Sequence, residues 1–83
     1  MAQIYKVPLV LTPQPEGGYT VTSPLLPELI TEGDTPQNAL AHVEDALDAV
    51  LELYEDLKKP IPASLRHPAA DEPIWFESVV ARP

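Results

Sequence analysis

Gly17-Gly18-Tyr19-Thr20-Val21-Thr22-Ser23-Pro24-Leu25-Leu26-Pro27-Glu28-Leu29-Ile30-Thr31-Glu32-Gly33-Asp34-Thr35-Pro36 is the stretch on which the fold turns. The diglycine permits the positive backbone angles that close a hairpin, and Tyr19 to Ser23 reads as the strand leaving it. Pro24 and Pro27 fix their backbone angles and donate no N–H, so they bracket Leu25-Leu26 in a stiff corner rather than a continued strand. Leu29 to Gly33 reads as a short third strand. Asp34 and Thr35 can cap a helix that opens on Pro36, the helical position where proline is welcome.

Upstream, Tyr5, Val7, Leu9 and Leu11 alternate with Lys6 and Pro8, a period-2 pattern that predicts a first strand over Ile4 to Leu11. Pro8 cannot donate to a ladder and is expected at a bulge or with its missing N–H directed away from a neighbour. Residues 12 to 18 form the turn. Downstream, Leu40, Val43, Leu47, Val50, Tyr54 and Leu57 recur every three or four residues and draw one apolar helical stripe. Lys58 and Lys59 suit the negative end of the helix dipole, Pro60 and Pro62 stop the helix, and Pro60 to Pro73 reads as a loop. Ile74 to Ala81 has the aromatic and β-branched content of a fourth strand. Ile74, Phe76 and Val80 would share one face, with Trp75, Glu77 and Val79 on the other.

The order β-β-β-α-β, with the fourth strand returning beside the first, predicts an α+β two-layer domain. The 83 residues leave room for one domain only, 1–83. No cysteine is present, which excludes disulfides and thiolate chemistry. Neither a signal peptide nor an 18-residue apolar run is visible, so a cytoplasmic location without membrane association is expected.

The chain carries 13 acidic and 5 basic residues, a net charge of −8, which repels nucleic-acid phosphate and favours a basic partner. Six acids lie on the helix: Glu44, Asp45, Asp48, Glu52, Glu55 and Asp56. Asp45, Asp48, Glu52, Glu55 and Asp56 form a ridge away from the apolar stripe, with no base before Lys58 to neutralise them. Such a ridge serves either as a solvated face or as a docking face for a basic protein.

Catalysis finds no carriers. Ile4 to Thr12 holds no carboxylate of the kind two-metal phosphoryl chemistry requires. His42 and His67 stand in no metal-ligand spacing, Ser23, Ser64 and Ser78 lack a nucleophile elbow, and Gly17-Gly18 is too short to cradle a phosphate. No enzyme activity, metal or cofactor is expected.

Taken in order, the diglycine turn, the strand opening on an aromatic, Pro24-x-x-Pro27 with its leucines, Thr31-Glu32-Gly33-Asp34-Thr35 and the helix reaching Ala39-Leu40 resemble the core of the HicB antitoxin family. The resemblance implies a partial RNase H-like (HicB-like) fold. It implies a binding protein that neutralises a HicA-type toxin, a small basic RNA-cleaving protein, by masking its active surface. On that basis the toxin-binding candidates are Asp45, Asp48, Glu52, Glu55 and Asp56, joined by Glu28, Glu32 and Asp34. Leu25, Leu26 and Leu29 could supply an apolar anchor at the corner or simply plug the end of the core. Family members commonly place Gly and a small residue after the second proline, where this chain has the bulkier Glu28-Leu29.

The family's C-terminal DNA-binding module has no counterpart after Trp75 to Ala81, so no direct DNA binding is expected. The alternative function is a self-assembling structural domain without a toxin. A homo-oligomer, dimer or tetramer, suits both, with Trp75 and Val79 as candidate interface residues.

Overall fold

The computed structural model describes residues 4–66 and 73–78. Three antiparallel strands follow in chain order: β1 (Val10–Pro13), β2 (Tyr19–Thr22) and β3 (Ile30–Gly33), with β2 in the middle. Among the described residues a single α-helix, α1 (Pro36–Asp56), lies across β2 and β3, and a 3₁₀ turn (Ala63–Leu65) follows it. The class is α+β, as expected.

The hairpin between β1 and β2 is closed by three residues, Pro15, Glu16 and Gly17. Gly17 N–H donates to the Gln14 carbonyl (3.0 Å) and Gln14 N–H to the Gly18 carbonyl (3.0 Å). Proline at the second position and a bulge glycine at φ +102° suit this type I turn. Counting back from Gln14, the pairs Thr12–Thr20 and Val10–Thr22 exchange hydrogen bonds, whereas Pro13 and Leu11 direct their backbone groups to the outer edge. Pro13 thus keeps its place in the ladder because its missing N–H faces outward.

The next bonded pair in that register would be Pro8 with Pro24, and neither has an N–H to give. The ladder therefore stops at Val10. This corrects the expected first strand over Ile4–Leu11: β1 lies further along the chain and takes in part of the expected turn. Residues 4 to 9 are only partly paired, through a bridge of Tyr5 with Arg66, where Lys6 N–H donates to the Leu65 carbonyl (2.7 Å).

Leu11, Val21 and Thr31 share the sheet face under the helix, and Val21 is fully buried. Gly33 is required there: a Cβ would sit 2.3 Å from the Ala39 nitrogen. The helix start rests directly on the strand. Its cap is Thr35, whose Oγ1 accepts from Asn38 N–H (3.0 Å), while Asn38 Oδ1 accepts from Asp34 N–H (3.0 Å).

Leu57 ends the helix and Lys58 turns left-handed at φ +53°. Lys58 N–H then donates to the Glu55 carbonyl and Lys59 N–H to the Tyr54 carbonyl, the pair of bonds of a Schellman motif. The helix is thus closed by its own backbone before Pro60 is reached. Leu57, placed by periodicity in the apolar stripe, is 64% exposed, at the C-cap where the helix ends.

The main core gathers at the corner end: Leu26, Leu29, Val50, Tyr54 and Leu65, with Tyr5, Val7, Leu9, Ala46, Leu47 and Ile61 packed against them. Each fully buried leucine contributes roughly 1.5–3 kcal/mol. Leu65 comes from the segment read as a plain loop, where its spacing of four from Ile61 was the available signal.

Over its described part, residues 73–78, the expected fourth strand does not form, and Val79 to Ala81 lie outside the described residues. β-propensity expresses fit to a paired, half-covered surface. Here Trp75 and Phe76 are each 80% exposed. Among the described residues the fold is a three-stranded sheet with one helix, and no fourth strand joins the sheet.

Candidate functional site

Because α1 turns its apolar stripe to the sheet and core, its acids emerge on the outside. Asp45, Asp48, Glu52, Glu55 and Asp56 are all exposed. Among the described residues the one salt bridge joins Lys59 to Glu28, which leaves the helix acids without a cationic partner there.

The acids proposed from sequence separate into three places. Asp48, Glu52 and Glu55 line a groove of about 670 Å³ together with the apolar Tyr5, Leu51 and Ile61 and the basic Lys59 and Arg66. Glu32 and Asp34 line a smaller cleft of about 320 Å³ beside the diglycine turn and the start of α1. Asp45 and Asp56 stand on the helix surface outside both.

Glu28 is committed within the chain. Its Oε1 accepts the Tyr54 hydroxyl (2.6 Å) and its Oε2 the Lys59 ammonium (3.0 Å), while that ammonium lies 4.7 Å from the centre of the Tyr54 ring. The Tyr54 hydrogen bond first, and the Lys59 bond second, pull the Glu28 carboxyl down to about 2. The same contacts with Glu28 push Tyr54 and Lys59 upward. The Schellman turn makes this possible, since it returns Lys59 over the last turn of the helix.

Leu26 and Leu29 are wholly buried in the core, so of the three corner leucines only Leu25, at 38% exposure, is open to a partner. The core-plugging alternative describes Leu26 and Leu29. Trp75 is open to solvent, and Val79 lies outside the described residues.

His42, expected as a solvated rim residue, is exposed but engaged: its Nδ1 donates to the Glu32 carbonyl (2.6 Å), which as a carbonyl can only accept. Nothing in its spacing announced this bond, since the partner is backbone ten residues away. His67 lies outside the described residues. Among the described residues no group of three or more His, Cys, Asp or Glu side chains could hold a metal ion.

Comparison with known proteins places this architecture. The chain is 40% identical over 77 residues to Antitoxin HicB 1 of Photorhabdus laumondii, an alignment covering 90% of this chain and 50% of that protein. It is 39% identical over 57 residues to Antitoxin HicB of Escherichia coli K12, covering 69% of this chain and 41% of that protein. The chain belongs to the HicB-like antitoxin family. A third relative, the UPF0150 protein Ta0767 of Thermoplasma acidophilum, is 32% identical over 57 residues, which are 69% of this chain and 83% of that protein. No family model matches the chain.

This HicB-like chain spans about half the length of the first of these relatives and less of the second. Relatives named as antitoxins agree with the expectation that it is not an enzyme. No helix among its described residues is long and apolar enough to cross a membrane.

Proposed function

We propose that this HicB-like chain acts in the cytoplasm as an antitoxin, neutralising a small basic RNA-cleaving protein of the HicA type by covering its active surface. The observation that carries this is the groove on α1, where Asp48, Glu52 and Glu55 stand beside apolar Tyr5, Leu51 and Ile61. A toxin that binds RNA needs cations on its active surface. A row of carboxylates along one helix competes for those cations, speeds encounter and disfavours acidic partners. Asp45 and Asp56 extend the row along the helix, and Leu25 offers an apolar point at the corner. Glu32 and Asp34 remain free to meet a toxin that reaches the start of the helix.

A second reading, self-association of the domain, is favoured by Trp75 and Phe76, two large apolar rings left in water on a small protein. It is compatible with toxin binding, because the rings are not among the residues lining the acidic groove.

The test is co-purification with any small basic protein encoded beside this chain, with RNA cleavage by that protein assayed in the presence and absence of this chain. A complex that abolishes cleavage, weakens in high salt and weakens on Asp48→Lys or Glu52→Lys is the expected result. Undiminished cleavage and no complex would overturn the antitoxin function.

A further inference from the structure

The two outer edges of the sheet are not equivalent. On β3, the ladder with β2 leaves Ile30 and Glu32 facing outward, and the Glu32 carbonyl is taken by His42 from α1. One carbonyl of that edge is thus taken by a side chain of the molecule itself. On β1, the outward residues are Leu11 and, just before the strand, Leu9. No described backbone group bonds the N–H or carbonyl of either. An edge of this kind is a template for another strand unless something blunts it. Pro13 blunts only its last position.

Beside that edge runs an apolar cleft of about 360 Å³, lined by Val7, Leu9, Leu11 and Leu40 with Phe76 and Glu77. The chain's own segment thus reaches the cleft but leaves Phe76 and Trp75 each 80% exposed and forms no ladder with β1. We propose that the open edge of β1, at Leu9 and Leu11, pairs with the Trp75–Phe76 segment of a second copy, each copy giving its segment to the other. This rests on the self-association reading above and specifies its geometry.

The area suits a pair of copies. At about 150–250 Å² for each aromatic side chain, Trp75 and Phe76 hold roughly 250–400 Å² per copy in water. Reciprocal docking doubles that, and the surface covered doubles it again, to roughly 1,000–1,600 Å² overall. A specific interface buries about 1,200–2,000 Å². Reciprocity also satisfies two-fold symmetry, since every copy owns one open edge and one exposed segment. Two chains of charge −8 repel, so salt should tighten this pairing, opposite to its effect on a complex with a basic toxin.

Sedimentation across a concentration series, combined with residue-resolved amide hydrogen exchange on the whole chain, tests the proposal. The wild type should dimerise, and a Trp75→Ala/Phe76→Ala variant, altered only at exposed positions, should remain monomeric and folded. The Leu9 and Leu11 amides should exchange at least tenfold more slowly in the dimer than in that variant. Val10 and Thr12, bonded inward to β2, should be protected equally in both. A dimer whose Leu9 and Leu11 amides exchange freely would overturn the geometry while leaving self-association standing. Protection of those amides in the monomeric variant would assign the pairing strand to the same chain and overturn the exchange. A wild type that stays monomeric at every concentration would remove both.

Discussion

Tyr54, near the end of the helix, donates its hydroxyl proton to Glu28 of the proline corner across 2.6 Å, joining two parts of the chain 26 residues apart. Lys59 completes the tie from the other carboxylate oxygen. The corner is therefore fastened to the helix by a charged link as well as by the packing of Leu26 and Leu29.

The link sets a pH dependence at both extremes. Glu28 has its carboxyl lowered from 4.5 to about 2, so its stabilising share is complete above 4.5 and is lost as pH falls through about 2. Tyr54 and Lys59 are raised, so theirs is complete below about pH 10 and is lost as pH rises through their elevated values. Denaturant melts of the wild type and Glu28→Gln should differ most between these limits and converge towards pH 2. Curves that stay parallel down to pH 2 would contradict the link.

Lys58 occupies a left-handed position that glycine adopts without cost, and a side chain there is strained by roughly 1–2 kcal/mol. Lys58→Gly should raise stability by up to about 1 kcal/mol, since the freer unfolded chain offsets part of the relief. Its melting midpoint in urea is the measurement, and a fall would show that the lysine side chain contributes more than its backbone strain.

Gly17→Ala and Gly33→Ala should differ in severity. At Gly17 a Cβ meets nothing within 4 Å, so the cost is the backbone angle alone, about 1–2 kcal/mol. At Gly33 it would meet Ala39 backbone at 2.3 Å, and the helix must move. Overpacking of about 1–3 kcal/mol or more is expected there, together with loosening of the helix start visible in amide exchange.

Leu26→Ala should cost about 2–5 kcal/mol, whereas Leu25→Ala, at the open neighbouring position, should cost under about 1 kcal/mol. Chemical denaturation separates the two. If Leu25→Ala weakens toxin binding without loss of stability, the corner contributes its one exposed leucine to the partner.

The elements whose signals are local were legible from sequence. Thr35-Pro36 marks the helix start, the diglycine marks the turn, and the helix acids were placed on the open face by periodicity. What depends on register or distant partners was not. Alternation from Tyr5 to Leu11 reports burial, and Tyr5, Val7 and Leu9 do pack on the core, but pairing is decided by Pro8 falling opposite Pro24. Glu28 looked like one more free acid because Tyr54 and Lys59 are 26 and 31 residues away. Leu65 was hidden by prolines that suggested a structureless loop.

The His42 bond to Glu32 bears on how large an assembly of these chains can become. A sheet open along both margins adds copies without limit and ends as a fibre. With one carbonyl of the β3 margin taken by an imidazole, the pairing proposed at β1 would leave growth a single direction, and two chains facing each other would use it up. One side chain, by occupying one carbonyl, would set a particle of fixed size in place of a polymer.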